Sequence, residues 1–281
     1  VLRNNVRQSL MSWWNRFRSS PGKSAQPEFN QPAMRLGEHL VTDVHSHIVP
    51  GVDDGAENLE QSLKLIERLV GLGYQRAVLT SHIHSDIYPN SKHTLTAPFL
   101  KLQGAVAERW PGFRIHLAAE YFLDSHFQDC IAANDLLWFP ALDENGRAIR
   151  CVLFEFGFHE PPINHQQVLF DLQMAGYTPV LAHAERYPYW HRQFNEFESL
   201  QDRGVWITVN GASLAGAYGP ETYQVAKALI EKGMVKMICS DAHAERHMDS
   251  LQAIGKSALV QQWLQSGEPM NPRVVFETTN T

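Results

Sequence analysis

From residue 40 onward, short runs of consecutive apolar residues alternate with longer stretches in which apolar residues recur three or four positions apart. The short runs predict buried β-strands, and the three-to-four spacing predicts amphipathic helices. Regular alternation of the two predicts a parallel sheet whose strands are joined by crossover helices. Seven runs are expected to be strands, at residues 41–44, 76–81, 115–119, 151–154, 179–182, 206–209 and 237–240.

The helical stretches end at recognisable stop signals. Four of them stop at a glycine, the preferred residue where a helix terminates. These four are expected at residues 60–72, 164–175, 194–203 and 220–232. A further helix is expected within residues 94–110, broken early by Pro98, and a last one at residues 250–264. The pair Asn145-Gly146 is a tight-turn signal and predicts a hairpin or a long loop.

Nearly every predicted strand ends on a side chain that can bind a metal ion. His45 and His47 follow the first strand, and in an extended chain two such residues point the same way. A parallel barrel collects the C-terminal ends of its strands on one face, so ligands spread over about 200 residues would meet there. This pattern favours a closed barrel over an open sheet. The other strand-end candidates are His82, Glu120, Glu155, His183, Asp241 and His243.

The loop after the first strand holds two consecutive acids, Asp53 and Asp54, followed by Gly55. This order is typical of a turn, and at least one of the acids is expected to cap the next helix. The other could be a metal ligand, and Asp54 is the preferred candidate.

Five histidines and four carboxylates make nine candidate ligands, more than one ion can use. Two or three ions are therefore expected, with a carboxylate bridging a pair. Nitrogen and oxygen ligands without thiolate suit manganese, iron or zinc. Clustered divalent ions lower the pKa of a shared water and hold phosphate oxygens, so the ligand set predicts hydrolysis of a phosphoester.

Several side chains beside the strand ends are candidates for substrate binding. The guanidinium of Arg186, three residues after His183, could hold two phosphoryl oxygens or could pair with an acid such as Glu185. Arg246 is a second, weaker candidate. Five aromatic residues could line a cleft for an aryl group or pack the loops: Phe122, Phe156, Phe158, Tyr187 and Trp190.

Charge and cysteine content exclude some classes of protein. The 281 residues carry a formal charge of −6, which argues against non-specific nucleic-acid binding. Cys130, Cys151 and Cys239 do not suggest a disulfide framework, so a cytoplasmic location is expected. None of the three has the arginine spacing of a cysteine-dependent phosphatase. No apolar run approaches the roughly 18 residues that cross a bilayer.

Residues 1–39 differ from the rest and are interpreted as a basic amphipathic extension and linker, ahead of a catalytic domain at residues 40–281. Apolar residues recur at helical spacing within residues 1–20, with arginines between them. Such a helix could make a peripheral contact with a membrane or a partner protein. It could equally pack on the domain.

Seven stretches of sequence have a distinctive form. The longest is Asp-Val-His-Ser-His-Ile-Val-Pro-Gly-Val-Asp-Asp-Gly-Ala at residues 43–56, and the others lie at 80–82, 119–121, 153–156, 179–187, 212–214 and 240–243. Together they resemble the PHP (polymerase and histidinol phosphatase) superfamily. The resemblance is closest to its bacterial manganese-dependent protein-tyrosine phosphatases of capsule and exopolysaccharide loci. Ala184 is a departure, because that family usually has proline there.

This resemblance implies a distorted (β/α)7 barrel with three divalent ions, manganese being favoured and iron or zinc possible alternatives. It assigns the first ion to His45, His47, Glu120 and Asp241. It assigns the second to Glu120, Glu155 and His183, and the third to Asp54, His82 and His243. It also implies that Arg186 stabilises the phosphoryl charge. Arg246 and Tyr187 are expected to contact substrate from their positions beside the strand ends, although the late arginine of the family falls a little further beyond the final histidine than Arg246 does. The proton for the leaving phenolate would come from Asp54, His82 or His243.

The expected activity is therefore hydrolysis of phosphotyrosine on a bacterial tyrosine autokinase with a Tyr-rich tail, acting in polysaccharide synthesis. One alternative is a small-molecule phosphomonoesterase, such as a histidinol-phosphate phosphatase on the same barrel. The stretch at residues 43–56 argues against it. The other is a non-catalytic scaffold that binds the kinase, against which the intact ligand set argues.

Overall fold

The computed structural model of the chain describes residues 26–276. The helix expected within residues 1–20 lies outside them. Part of the predicted linker is bonded to the domain: Gln31 N donates to the Lys256 carbonyl and Met34 N donates to the Gly255 carbonyl. Residues 31–34 are therefore packed against the C-terminal part of the domain.

The centre of the described chain is a sheet that is parallel except for one strand. Its strands are β1 (Thr42–Asp43), β2 (Arg76–Leu79), β3 (His82–Ile83), β4 (Arg114–Leu117), β5 (Glu120–Phe122), β6 (Phe139–Leu142), β7 (Ala148–Glu155), β8 (Thr178–Leu181), β9 (Trp206–Asn210) and β10 (Val235–Cys239). Only two residues separate β2 from β3 and β4 from β5, so each pair is one interrupted strand. The parallel order is then β1, β2/β3, β4/β5, β7, β8, β9 and β10, seven strands in all.

Backbone hydrogen bonds join the last strand to the first. Asp241 N donates to the His45 carbonyl at 2.9 Å, and His47 N donates to the Ala242 carbonyl at 3.0 Å. The buried Asp43 carboxylate on β1 accepts from both the backbone and the hydroxyl of Ser240. These contacts close the sheet and confirm the predicted distorted (β/α)7 barrel. β6 pairs antiparallel with β7 across the loop that contains Asn145-Gly146, which confirms the predicted hairpin.

Helices surround the barrel. They are α1 (Gly37–Leu40), α2 (Leu59–Gly71), α3 (Lys92–Arg109), α4 (Ser125–Ala133), α5 (His165–Met174), α6 (Phe194–Asp202), α7 (Gly211–Leu214), α8 (Pro220–Glu231), α9 (Glu245–Ile254) and α10 (Ala258–Gln265). The four helices predicted with a glycine stop are confirmed as α2, α5, α6 and α8. Within residues 26–276, no helix has both the length and the apolar character that a membrane crossing requires.

Two helix predictions are wrong in detail. α3 continues through Pro98, because Ser91 and Thr94 cap its start reciprocally and buried apolar residues such as Phe99 hold one face. The last predicted helix is two helices, α9 and α10, which separate at Gly255. The backbone of Met34 lies against Gly255, at a position that a Cβ atom would occupy.

The interior of the barrel holds a core of its own. Its members are Val44, Val78, Ala118, Phe139, Ala141, Cys151, Leu153, Val180, Ala182, Met237, Cys239, Met270 and Val274. Successive side chains of a strand point to opposite faces, so Glu155 follows Leu153 on the interior face and Glu120 follows Ala118. The strand period therefore places polar side chains above an apolar plug, at the C-terminal ends of the strands.

Candidate metal centre

All nine predicted ligands converge at the C-terminal ends of the barrel strands. Their ligand atoms form three overlapping groups, in each of which the atoms lie within 4.8 Å of one another: His45, His47 and Glu120; His82, Glu120 and Glu155; and His47, Asp54, His82 and His243. Asp241 and His183 lie against these groups. The barrel thus brings together ligands that are far apart in sequence, as the strand pattern predicted.

Glu120 lies at the middle of the cluster. Its Oε2 is 3.3 Å from His45 Nε2, 3.3 Å from His47 Nε2 and 3.1 Å from His82 Nδ1. These approaches lack the geometry of a hydrogen bond, and this buried oxygen has no hydrogen-bond partner among the described residues. Ligand atoms that each bind one ion at about 2.1 Å lie about 3 Å apart. The spacing therefore fits a carboxylate oxygen and imidazole nitrogens directed at a common cation.

Asp241 completes the group around the first two histidines. Its Oδ1 lies 3.4 Å from both His45 Nε2 and His47 Nε2, and these two nitrogens are 3.1 Å apart. The other carboxylate oxygen accepts a hydrogen bond of 2.6 Å from Asn210 Nδ2, which orients the side chain. These four side chains are the set that the family resemblance assigns to a first ion.

A second group shares the Glu120 carboxylate. Its other oxygen, Oε1, is 3.0 Å from His183 Nε2, and that nitrogen is 3.6 Å from Glu155 Oε2. Glu155 Oε1 lies 3.3 Å from His82 Nδ1. The two oxygens of Glu120 thus face different neighbours, which is the arrangement of a carboxylate that bridges two ions.

The third group lies at the solvent side of the cluster. Asp54 Oδ1 is 3.4 Å from His243 Nε2 and 3.6 Å from His82 Nε2, and 53% of the Asp54 side chain is exposed. The His243 ring also stacks on the His47 ring, with centroids 4.0 Å apart. A substrate can therefore reach this group without displacing a buried side chain.

Two of the histidines have partners that determine their tautomer. His47 Nδ1 lies 3.0 Å from Asp53 Oδ2, and His243 Nδ1 lies 2.9 Å from the Asp241 carbonyl. Both partners are acceptors, so each Nδ1 carries the proton and each Nε2 presents a lone pair to the cluster. Metal-binding histidines are commonly held in this way.

The expectation that Asp53 or Asp54 caps the next helix is wrong, because Asn58 caps α2 instead.

Backbone strain marks two of the ligand positions. His183 has φ of +34° and Asp241 has φ of +47°, in the left-handed region that residues other than glycine rarely adopt. Each such residue costs about 1–3 kcal/mol, and such strain persists where the surroundings enforce it. Both residues lie two positions beyond the end of a barrel strand, so the turn there redirects their side chains into the cluster.

The cluster keeps its carboxylates ionised. Burial alone would raise the pKa of Asp241, but attraction to His45 outweighs it and holds this pKa well below its usual range. The pKa of Glu120 is also lowered well below its usual range, because attraction to His45 and His82 exceeds the effect of burial. The ionised carboxylate is the form that binds a cation.

A cleft of about 560 Å³ opens above the cluster. Arg186 lines it, with Nη1 3.4 Å from Asp241 Oδ2. The alternative pairing with Glu185 does not form, because Glu185 Oε1 accepts from Asn210 N. Arg246 also lines the cleft. Both arginines thus lie where a phosphoryl group could reach them.

The structure contradicts the expectation that Tyr187 contacts substrate. Tyr187 is fully buried, and its hydroxyl accepts from Phe156 N and donates to the Ala182 carbonyl. It therefore holds two strand ends together beneath the cleft. Of the other predicted aromatics, Phe122 and Phe158 line the cleft, whereas Trp190 is buried in the core.

Three residues of the site were not among the sequence candidates, and a fourth, Asp53, was placed second to Asp54. Asp53 orients His47 and Asn210 orients Asp241, as described above, and Asn210 ends a barrel strand, which is a usable signal. Tyr88 stacks on the His82 ring with centroids 5.2 Å apart, and Tyr218 stacks on Arg186. These two tyrosines lie in loops, where no periodic pattern indicates direction.

The cysteines take no part in the cluster. Burial raises the pKa of Cys239 well above its usual range and also raises the pKa of Cys151. Both thiols therefore stay protonated, in agreement with the exclusion of a cysteine nucleophile.

Comparison with known proteins identifies the family of the chain. A model of the family described as capsular polysaccharide synthesis, CpsB/CapC, matches residues 41–257. The tyrosine-protein phosphatase YwqE of Bacillus subtilis is 27% identical over 211 residues, which are 72% of this chain and 76% of that protein. The tyrosine-protein phosphatase CpsB of Streptococcus pneumoniae is 27% identical over 206 residues, which are 72% of this chain and 82% of that protein.

A solved structure has the same fold. It comes from work on YwqE of B. subtilis and CpsB of S. pneumoniae, described as metal-dependent tyrosine phosphatases, and superposes with a TM-score of 0.68 at 23% identity. The match covers 84% of this chain and 96% of that one. Because the family model spans most of the sequence, the chain belongs to the CpsB/CapC family of capsular polysaccharide synthesis.

Proposed function

We propose that this protein is a metal-dependent protein-tyrosine phosphatase that acts in capsular or exopolysaccharide synthesis. The observation that carries the proposal is the environment of Glu120 Oε2, a buried acceptor without a hydrogen bond that lies within 3.3 Å of three imidazole nitrogens. Buried charged groups in proteins are paired or coordinate metal ions, and a cation among these ligand atoms would stabilise them all. The tyrosine-phosphatase relatives support the choice of reaction.

Our proposal is three divalent ions, one for each of the three groups of side chains. The mixed nitrogen and oxygen ligands suit manganese, iron or zinc, and the family resemblance favours manganese. The first group is His45, His47, Glu120 and Asp241. The second is Glu120, Glu155 and His183, and the third is Asp54, His82 and His243. When bound, such ions would lower the pKa of a shared water and neutralise phosphoryl oxygens.

The protein side chains supply binding and orientation. Arg186 donates to the phosphoryl oxygens and stabilises the charge that they gain in the transition state. The leaving phenolate takes a proton from one of the three side chains at the solvent side of the cluster, Asp54, His82 or His243. Phe122 and Phe158 line the cleft and contact the aryl ring, and Arg246 contacts the substrate at its edge.

The substrate is a phosphotyrosine-containing protein, and the Tyr-rich tail of a tyrosine autokinase is our proposal for it. The open cleft accommodates a residue on a polypeptide, and a formal charge of −6 does not favour nucleic acid as a partner. We place the enzyme in the cytoplasm, with residues 1–20 as a possible peripheral contact to the membrane or to the kinase.

The proposal is tested by comparing substrates and metal states. Protein stripped by a chelator and reloaded with Mn²⁺ should hydrolyse a phosphotyrosine peptide with a higher kcat/KM than histidinol phosphate. Loss of a direct ligand in His45→Ala should lower kcat by more than about 100-fold, since even residues that only orient ligands contribute 10- to 100-fold. The control His39→Ala changes an exposed histidine on α1 and should leave kcat unchanged. A preference for histidinol phosphate, or full activity of His45→Ala, would contradict the proposal.

A further inference from the structure

Two aromatic rings lie against the guanidinium of Arg186, and we propose that they are positioning residues for it. The guanidinium carbon lies 4.5 Å from the centre of the Tyr218 ring and 4.8 Å from that of the Phe158 ring. Both distances are within the roughly 6 Å at which a cation is attracted to an aromatic face. The inference rests on the proposed phosphatase function, in which Arg186 binds the phosphoryl group.

The polar contacts of Arg186 are too weak to hold it alone. Its one hydrogen-bond partner among the described residues is Asp241 Oδ2, at 3.4 Å. That oxygen already accepts a much shorter bond of 2.6 Å from Asn210. A guanidinium has five N–H donors, so most of those on Arg186 remain available for phosphoryl oxygens. The rings therefore set the plane of the group and leave its donors free.

Tyr218 contributes its ring rather than its hydroxyl. The side chain is half-buried, and within residues 26–276 its hydroxyl has no hydrogen-bond partner. A phenylalanine at this position would present the same face to Arg186, whereas an aliphatic residue would not.

The loop that carries Tyr218 is itself held in place. It joins α7 to α8, and Ala217 N donates to the Ala212 carbonyl within it. Gly216 and Gly219 have φ of +80° and +92°, which glycine adopts without strain. Pro27 packs against Gly216 so closely that an added Cβ would lie 3.1 Å from Pro27 Cγ. The ring of Tyr218 is therefore a fixed surface for the arginine.

The test is a double-mutant cycle on the full chain loaded with Mn²⁺, with p-nitrophenyl phosphate as substrate. Tyr218→Leu should lower kcat/KM roughly 3- to 20-fold, the range of a partly desolvated cation–aromatic contact, and should weaken inhibition by inorganic phosphate. Tyr218→Phe should stay within about twofold of the unmodified protein. In an Arg186→Gln background, Tyr218→Leu should have an effect of less than about twofold. Phe170→Leu, at an exposed ring on α5, is the matched control.

Each contrary outcome has a distinct meaning. An equal loss from Tyr218→Leu in both backgrounds would overturn the inference, because the ring would then act on substrate or on folding without Arg186. A loss in Tyr218→Phe equal to that in Tyr218→Leu would also overturn it, by making the hydroxyl responsible. Normal activity in Arg186→Gln would remove the role of Arg186 itself, whereas absence of activity in the unmodified protein would reject the phosphatase proposal.

Discussion

The two ends of the barrel interior illustrate opposite uses of one strand period. Below, apolar residues such as Leu153 and Met237 fill the barrel and leave no group in need of a partner. Above, at the next inward position, Glu120 and Glu155 are buried beside imidazoles, and one oxygen of Glu120 lacks a hydrogen bond. Packing therefore supplies stability at one level, and the level above it carries a polar cluster that a bound cation would satisfy.

The largest loss of activity is expected from a substitution of Glu120, at the centre of the polar cluster. Glu120→Gln keeps the shape of the side chain but removes the charge shared by two ligand groups. We expect kcat to fall by more than about 100-fold, with fewer ions bound per chain. Kinetics and elemental analysis after dialysis would measure both. The control is Glu108→Gln, at an exposed position of α3. If Glu120→Gln retained both its activity and its ions, the proposed metal-binding role of the upper level would be wrong.

A smaller effect, on metal affinity, is expected for Asp53, which orients a ligand and is not itself one. Asp53 accepts from His47 Nδ1 at 3.0 Å and also from His82 N. Asp53→Asn should weaken metal affinity by about 10- to 100-fold, because the side chain loses its negative charge and keeps only one oxygen, whereas both oxygens of Asp53 accept hydrogen bonds. Activity titrated against free Mn²⁺ would show a higher half-saturating concentration, with much of kcat restored at saturation. Asp202→Asn on the exposed end of α6 should not move the curve. An unchanged curve for Asp53→Asn would show that this contact does not support the site.

Substitutions in the apolar core should lower the stability of the protein and leave its catalytic rate unchanged. Met237→Ala removes a fully buried side chain and should lower the free energy of unfolding by about 2–5 kcal/mol. Met174 is 71% exposed on α5, so Met174→Ala should change it by less than about 0.5 kcal/mol. Urea unfolding would measure both, and kcat of the folded protein should stay near normal. Loss of activity without loss of stability in Met237→Ala would contradict a purely packing role.

Sequence reasoning could identify eight of the nine ligands because each follows a strand of clear pattern. His45, His183 and Asp241 all follow apolar runs, and parallel strands bring such positions together. The roles of residues in the loops beyond the strands were harder to predict from the sequence. Tyr187 follows a ligand closely, yet the 3₁₀ turn after β8 turns it beneath the cleft to bond with Phe156 N.

Tertiary contacts explain the remaining differences. Tyr218 reaches Arg186 only because its loop folds back over the cleft, and no local pattern encodes that direction. The break between α9 and α10 depends on the backbone at Met34, more than 200 residues away in sequence. The role of Asp53 likewise follows from a contact with His47 across a turn, whereas its position before Gly55 suggested a helix cap.

Anomalous scattering from crystals of active, Mn²⁺-loaded protein would test the central claim most directly. We predict peaks at the manganese edge among the nine side chains, with one peak bound by His45, His47 and Glu120 and a neighbouring peak sharing the Glu120 carboxylate. Fully active protein without a peak within bonding distance of Glu120 would contradict the account.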